Sequence, residues 1–221
     1  MTTSAFRGQG ALHDLSLPHG RHHLSRELVR ASQRGRMLDA MAQVVSEKGY
    51  GVATIADVTA RAGVSRKTFY EQFTDKEDCF LASFDVGVTV LVGYLREQTD
   101  GVVGGWRDRL RVGLEAFFQL LSEEPAFTHC LAVEAFAAGS RARTRRADLV
   151  AGFAEVYRRA NAEARAEDPK VIEIDEQVSR AIAGGVDEAL RGYVEAGRVE
   201  KVPELLPVML EFVAANVARR S

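Results

Sequence analysis

Apolar residues recur at three- and four-residue steps through most of this chain, which is the spacing of one face of an α-helix. The pattern is plainest in one segment, where it comprises Leu81, Phe84, Val88, Leu91 and Leu95. No stretch of the sequence alternates apolar and polar residues convincingly, as a half-buried strand would. We therefore predict an all-α fold with about nine helices.

The composition is that of an ordinary globular protein, since 46% of the 221 residues are hydrophobic and 27% are charged. A chain of this length can bury a core without a metal or a disulfide, and Cys79 and Cys130 follow no metal-ligand spacing. We expect no metal and no cofactor, and two widely separated cysteines favour a reduced, cytoplasmic location. The N-terminus lacks the apolar core of a signal peptide. The apolar stretch 80–95 is interrupted by Asp85 and is predicted to be a buried helix, too short to span a membrane.

Charge is distributed unevenly along the chain. Residues 1–76 contain 11 lysines and arginines against 7 acidic residues, whereas the remainder is acidic. A basic N-terminal third on an acidic body indicates an anionic partner at one end of the molecule. Residues 1–25 are predicted to be a flexible basic arm. Either this arm reaches the minor groove of DNA, or it is a solvated extension of the first helix.

The segment 26–75 is predicted to be a three-helix head. Its first helix ends at Lys48-Gly49, and Thr54 opens a second helix with Asp57 three residues on, close to a capping box. Gly63 ends that helix and Ser65 caps a third, short one. Two short helices joined by a glycine-containing turn form a helix-turn-helix, the arrangement that places its second helix in the major groove of DNA.

The third helix has two dissimilar edges. Val64, Phe69 and Phe73 supply an apolar inner edge. The outer edge is small, polar or basic, as entry into the major groove requires. Its candidates are Ser65, Arg66, Lys67, Thr68, Tyr70 and Gln72. The N-caps Thr54 and Ser65 can also bind phosphates, because helix N-termini carry free N–H groups.

At this point the chain resembles the TetR family of bacterial regulators. The resemblance rests on residues 54–58 (TIADV), 62–65 (AGVS) and 68–73 (TFYEQF), on Lys76-Glu77, and on the preceding Lys48-Gly49-Tyr50. At Gln72, members of the family often have histidine or tyrosine. Beyond residue 76 the similarity is one of architecture, with further helices that in the family bind a small molecule and hold a dimer together.

The resemblance implies a role for each outer residue. Arg66, Lys67 and Thr68 would face base edges, Ser65 would cap the recognition helix, and phosphates would be bound by Thr54, Tyr70, Gln72 and Lys76. Two simpler interpretations stand beside these roles. Arg66 and Lys67 are equally typical of a solvated helix face, and Tyr70 of a half-buried packing residue.

Residues 76–221 are predicted to form a helical ligand-binding and dimerisation domain. Its aromatic residues are dense enough to leave an apolar cavity, which we expect to be lined by Trp106, Phe117, Leu121, His129, Phe153 and Tyr157. No cluster of positive charge is predicted to point inward. The expected effector is therefore a small, largely apolar molecule.

The last two helices are predicted to form a two-fold dimer. Their apolar stripes comprise Val178, Ile182, Val186, Leu190, Tyr193, Met209, Phe212 and Val213. A two-fold dimer would read a palindromic operator in double-stranded DNA. The sequence thus favours a homodimeric repressor, not an enzyme, that an apolar effector releases from its operator. The alternative is a helical carrier or enzyme that uses the cavity, but such a protein has no need for Thr54, Arg66 and Lys67 on one surface.

Overall fold

The computed structural model describes residues 26–220, with side chains from Val29 onward, so the predicted arm lies outside the described residues. Within that range the chain forms nine α-helices and no strand, which confirms the all-α prediction. The first five helices are α1 (Arg26–Lys48), α2 (Ile55–Ala62), α3 (Arg66–Tyr70), α4 (Lys76–Thr99) and α5 (Trp106–Glu123). Helix α6 (Pro125–His129) continues through a π-helical turn (Cys130–Glu134) into Ala135–Ala137. It is followed by α7 (Ser140–Glu167), α8 (Glu176–Glu195), a 3₁₀ helix (Val199–Leu205) and α9 (Leu206–Val217).

Helices α1–α3 form the head, as predicted. Thr54 makes a capping box with Asp57, Gly63 ends α2 in the left-handed conformation at φ 64°, and Ser65 caps α3. The inner edge of α3 is buried, since Phe69 and Phe73 pack in the core. These local contacts fix the angle between α2 and α3 and so determine which face of α3 points outward.

Helix α4 joins the head to the rest of the molecule. With 24 residues it extends beyond the apolar stretch 80–95 at both ends, and it is long and apolar enough to cross a membrane by length and composition alone. The core helix of a globular protein passes the same test. Here Phe80, Phe84 and Leu91 of α4 are buried against other helices, and Asp85 pairs with Arg145 of α7 at 2.8 Å.

Helix α6 crosses the backbone of α4 at very short range. A Cβ atom built on Gly87 would lie 2.1 Å from Cε2 of Phe127, so only glycine fits at this position of α4. The π-helical turn begins three residues after Phe127. Such turns disturb the regular hydrogen bonding of a helix and occur often at functional sites.

The dimer stripe predicted for α8 and α9 lies largely inside the chain itself. Ile182, Val186, Leu190 and Val213 are buried, and Ile182 is only 2% exposed. A side chain covered by its own chain cannot form a surface between subunits, so the prediction was wrong for these four residues.

The remaining members of the stripe reach the surface to different extents. Val178, Tyr193 and Met209 are half-buried, and Phe212 is 36% exposed. The outer face of the two helices includes the half-buried Gly184 and the exposed Ala181, Glu188, Gly192, Val208 and Phe212.

Candidate DNA-binding surface and ligand cavity

The outer edge of α3 faces solvent. Arg66 and Lys67 are exposed, and Tyr70 is 54% exposed. The ring of Tyr70 lies edge-on to Phe69, with 5.6 Å between the ring centroids. The ring therefore packs on the head, while its hydroxyl group can reach outward. Three polar side chains therefore project from one short helix, as entry into a groove requires.

The hydroxyl groups of the two N-caps are engaged locally. Thr54 Oγ1 donates to Oδ2 of Asp57 at 2.7 Å, and the backbone N–H of Thr68 donates to Ser65 Oγ at 3.0 Å. The hydroxyls of Ser65 and Thr68 also lie 2.9 Å apart. Because these contacts close the helix ends, Thr54 and Ser65 hold the exposed basic residues in place whether or not they also contact DNA.

Two predicted phosphate ligands bind the protein itself. Gln72 is half-buried, and its side chain donates to the carbonyl of Arg30 at 3.4 Å. The ammonium group of Lys76 donates to the carbonyls of Tyr50 at 2.7 Å and Ala53 at 2.9 Å. Burial of this ammonium lowers the pKa of Lys76. Both side chains thus hold the head together, and their predicted contacts with phosphate stay predictions.

The carboxylate of Asp57 is the most strongly perturbed acid of the head. Hydrogen bonds from Lys48, at 2.6 Å, and from Thr54 lower the pKa of Asp57 from 3.8 to about 2. A second ionic contact joins α2 to α1, where Arg61 Nη2 lies 2.6 Å from Oε2 of Glu47. Helix α2 is therefore held against α1 by charges at both of its ends.

A cavity of about 310 Å³ lies between α4, α5, α7 and α8. Trp106, Phe117, Phe153 and Tyr157 line it, as their predicted role requires, and the rings of Phe117 and Phe153 meet edge to face at 5.2 Å. Burial raises the pKa of the Tyr157 phenol, so this group stays neutral near pH 7. Most of the remaining lining is aliphatic and includes Leu149. The volume is at the lower end of the range for small-molecule sites.

Two residues assigned to the cavity lie elsewhere. Leu121 is fully buried in the core and does not reach the cavity. His129 does not line the cavity either, and its Nδ1 lies 3.8 Å from Oε1 of Glu134 in the π-helical turn. Both assignments were wrong because a helix of the core has apolar neighbours on several sides, and the sequence does not say which side borders a cavity.

The charged lining of the cavity was missed. Arg96, Arg109, Arg159, Glu163 and Asp187 all line the cavity, and of the three arginines Arg96 and Arg159 are exposed and Arg109 is half-buried. Arg109 donates a hydrogen bond to Glu163. Arg159 also pairs with Glu155, and its side chain is 71% exposed. The prediction that no positive cluster points inward therefore stays a prediction.

A signal for two of these charges was present in the sequence. Glu163 follows Ala160 by three residues and so continues the apolar stripe of α7. Asp187 lies within the stripe of α8 between Ala183 and Leu190. A charged residue inside an apolar stripe marks a position where a helix borders a polar pocket or an ion pair.

The head matches a known family. Residues 37–83 fit the family model described as "Bacterial regulatory proteins, tetR family". The chain is 32% identical over 107 residues to the HTH-type transcriptional activator FasR of Mycolicibacterium smegmatis, and 27% identical over 99 residues to the HTH-type transcriptional regulator AlkX of Mycobacterium tuberculosis. These matches cover 48% and 45% of this chain, and 48% and 47% of the relatives, so the chain spans about half the length of the curated relatives it matches. Residues 37–83, most of the head, thus match the TetR family of bacterial regulatory proteins.

The fold extends this similarity over most of the chain. The crystal structure of the transcriptional regulator FadR from Bacillus subtilis, in complex with stearoyl-CoA, superposes with a TM-score of 0.72. The superposition covers 82% of this chain and 98% of FadR at 18% sequence identity. At this identity the match establishes a common fold, including the helical body that follows the head.

Proposed function

We propose that this protein is a DNA-binding transcriptional regulator whose affinity for its operator is controlled by a ligand in the cavity. Helix α4 is the observation on which the proposal depends. Its first residue, Lys76, bonds to carbonyls of the head, and its last turns contribute Leu95, Arg96 and Thr99 to the cavity. A ligand that fits only one position of α4 would thus change the position of the recognition helix α3.

A second connection supports the same coupling. The π-helical turn of α6 contributes Leu131 to the cavity wall, while Glu134 of the same turn accepts the backbone N–H of Tyr50 at 2.7 Å. Tyr50 lies in the linker between α1 and α2. Both routes therefore run from the cavity to one linker residue of the head.

The cavity favours an amphipathic effector instead of a purely apolar one. Its aromatic and aliphatic walls suit a long hydrocarbon chain, and Arg96, Arg109 and Arg159 suit an anionic group at one end. One neighbour of the same fold, FadR, is described in complex with stearoyl-CoA, which has this chemistry. We therefore propose a long-chain fatty acyl derivative or another anionic amphiphile as the effector.

We further propose that the functional unit is a two-fold dimer formed by the outer face of α8 and α9. Val208 and Phe212 would supply its apolar contacts. At Gly184 no atom of the described residues outside the surrounding turns of α8 lies within 4 Å of the position of a Cβ, so another helix could approach closely there. A two-fold dimer places two α3 helices on one side of a DNA duplex and predicts a palindromic operator.

Two measurements on the full chain test the proposal. Selection from random duplexes should return one palindromic sequence, and fluorescence anisotropy on that duplex should then be repeated with stearoyl-CoA, octadecanoic acid or octadecanol. The two anionic compounds should weaken DNA binding between about 5- and 150-fold, the usual range of allosteric coupling, whereas uncharged octadecanol should act less.

Each measurement has an outcome that contradicts the part of the proposal that it tests. Failure to select any preferred duplex would overturn the DNA-binding function. Tight binding of stearoyl-CoA with no change in operator affinity would make the cavity that of a carrier instead of a regulator, since a ligand with equal affinity for both states shifts neither.

A further inference from the structure

Asp187 is the charged residue that the proposed anionic effector does not explain. It borders the cavity from α8, where the nearby lining is aliphatic and includes Ala183, Val186 and Leu190. It belongs to an ion pair, because Arg146 Nη2 donates to Oδ2 of Asp187 at 2.6 Å. The Arg146 side chain is only 4% exposed, whereas that of Asp187 is 27% exposed.

The ion pair is made by a single hydrogen bond. Arginine can bind a carboxylate through two parallel N–H groups, but Arg146 Nε is buried without a hydrogen-bond partner in the described part of the chain. The hydrogen bond that Arg146 donates to Asp187 reaches Oδ2. Since a carboxylate can accept several hydrogen bonds and Asp187 lines the cavity, it retains acceptor capacity for a ligand there.

Stability alone is a poor reason for an ion pair at this position. Taking two charges out of water is costly, and apolar residues of similar volume often replace a buried pair without loss of stability. Arg146 also stacks on the ring of Phe136, with 4.7 Å from Cζ to the centroid, so its charge is stabilised from a second direction. The arrangement fixes the guanidinium of Arg146 beside the carboxylate of Asp187 at the cavity wall.

The two charged parts of the cavity are far apart. Arg146, which pairs with Asp187, and Glu163, which pairs with Arg109, are 17 residues apart on α7. At 1.5 Å per residue this separation is about 25 Å. A long-chain effector whose anionic group lies near Arg109 would therefore bring the far part of its chain toward Asp187.

We propose that Asp187 recognises a neutral hydrogen-bond donor, such as a hydroxyl group, near the far end of the effector chain and rejects a second anion there. This inference rests on the proposed function and narrows its ligand class to anionic amphiphiles with a distal donor. A hydrogen bond to this half-buried carboxylate should favour such a ligand over its plain analogue by roughly tenfold. A carboxylate at the same end would instead be repelled.

Three probes of equal chain length test this selectivity on the full-length protein. Octadecanoic acid, 18-hydroxyoctadecanoic acid and octadecanedioic acid are compared by isothermal titration calorimetry and by release of the selected operator. The hydroxy acid should bind about tenfold more tightly than octadecanoic acid, and the diacid should bind least. Equal affinities for all three would overturn the inference while leaving the proposed function intact. If none of the three binds and stearoyl-CoA does not bind either, the proposed effector class is wrong and this inference fails with it.

Two substitutions of Asp187 distinguish recognition of the ligand by this residue from a purely structural contact with Arg146. Asp187→Asn keeps an oxygen for Arg146 but removes the charge, so it should admit the diacid with an affinity near that of octadecanoic acid. Asp187→Leu should abolish the preference for the hydroxy acid, provided that circular dichroism shows a folded chain. If it does not fold, Asp187→Asn decides alone. The control Asp148→Asn removes an exposed carboxylate from α7 and should leave all three affinities unchanged. An unchanged ranking in Asp187→Asn would reduce Asp187 to a structural partner of Arg146.

Discussion

Lys76 and Tyr50 form a compact cation–π and hydrogen-bond pair at the junction of the head and α4. The Lys76 ammonium lies 4.2 Å from the centre of the Tyr50 ring and donates to the carbonyl of the same residue at 2.7 Å. Phe80 also packs on Tyr50, and the two rings meet edge-on with 5.1 Å between their centroids. The residue that begins α4 is therefore also the residue that holds the linker between α1 and α2.

Lys76→Ala should lower both stability and DNA affinity. It removes two charged hydrogen bonds to backbone carbonyls and the cation–π contact, so the free energy of unfolding should fall by about 1.5–3 kcal/mol. DNA affinity should fall for all sequences alike. Urea unfolding measures the first effect and anisotropy the second. The exposed Lys67→Ala is the matched control and should leave stability within about 0.5 kcal/mol of wild type. Unchanged stability in Lys76→Ala would contradict the structural role.

Arg66→Ala should relax base preference. Arg66 is exposed on the outer edge of α3, where a guanidinium can bind a guanine edge through two hydrogen bonds. The expected loss is about 1–3 kcal/mol on the selected operator and little on unrelated duplexes. Repeating the duplex selection with the variant should show degeneracy at one position in each half-site. The control is Arg158→Ala, which removes an exposed arginine from α7. If the Arg66→Ala variant selected the same duplex as wild type, Arg66 would only face solvent.

Arg109→Gln should weaken binding of anionic ligands. Its guanidinium borders the cavity and is held there by Glu163 and by the carbonyl of Gly104 at 2.8 Å. Calorimetry with octadecanoic acid and octadecanol measures the effect, and only the acid should lose affinity. Arg107→Gln changes an exposed neighbour on the same helix and should alter neither ligand. Equal losses of affinity for octadecanoic acid and octadecanol would mean that Arg109 shapes the cavity but does not bind the anionic group.

Val208→Glu should dissociate the proposed dimer. Val208 is 62% exposed on the outer face of α8 and α9, and a buried carboxylate without a partner would oppose association there. Sedimentation velocity at micromolar concentration gives the readout. Val103→Glu, at a fully exposed position between α4 and α5, is the control and should leave the mass unchanged. By contrast Ile182→Arg should unfold the chain, because Ile182 lies in its core. A wild-type mass for Val208→Glu would place the subunit contact elsewhere.

The stability of the head should depend on pH through Asp57. The pKa of this carboxyl is about 2 in the folded protein against an ordinary 3.8, so the ionised form is stabilised by folding. The contribution is complete above about pH 4 and is lost as pH falls through the window from about 4 to about 2. The difference in unfolding free energy between wild type and Asp57→Asn should therefore shrink across that window. A difference that stays constant with pH would show that Lys48 and Thr54 do not select the ionised form.

The head could be predicted from the sequence because its determinants are local. Thr54 and Asp57 cap α2 within three residues of each other, and Gly63 ends the same helix. Such contacts depend on residue type and spacing alone. The same reasoning identified the exposed edge of α3, since the buried edge carries Phe69 and Phe73.

The body could be predicted only in part, because its determinants join distant helices. The apolar stripe through Ile182 was identified correctly, but periodicity does not tell whether the chain itself or another subunit covers a stripe. The charged end of the cavity depends on Arg109 meeting Glu163, which is 54 residues away. The contacts of Lys76 with the carbonyls of Tyr50 and Ala53 were not predicted either, because these carbonyls belong to a linker with no pattern of its own.

The peptide of Tyr50 bears on how such regulators can be recombined. Its N–H is held by Glu134 and its carbonyl by Lys76, two residues that lie beyond the boundary predicted between the DNA-binding domain and the ligand-binding domain. A chimaera joined at residue 75 would give the grafted head a foreign residue at both contacts. The smallest transplantable unit therefore includes the start of α4 and a matching carboxylate in the π-helical turn. Operator specificity would be exchanged more safely by replacing the exposed residues of α3 alone.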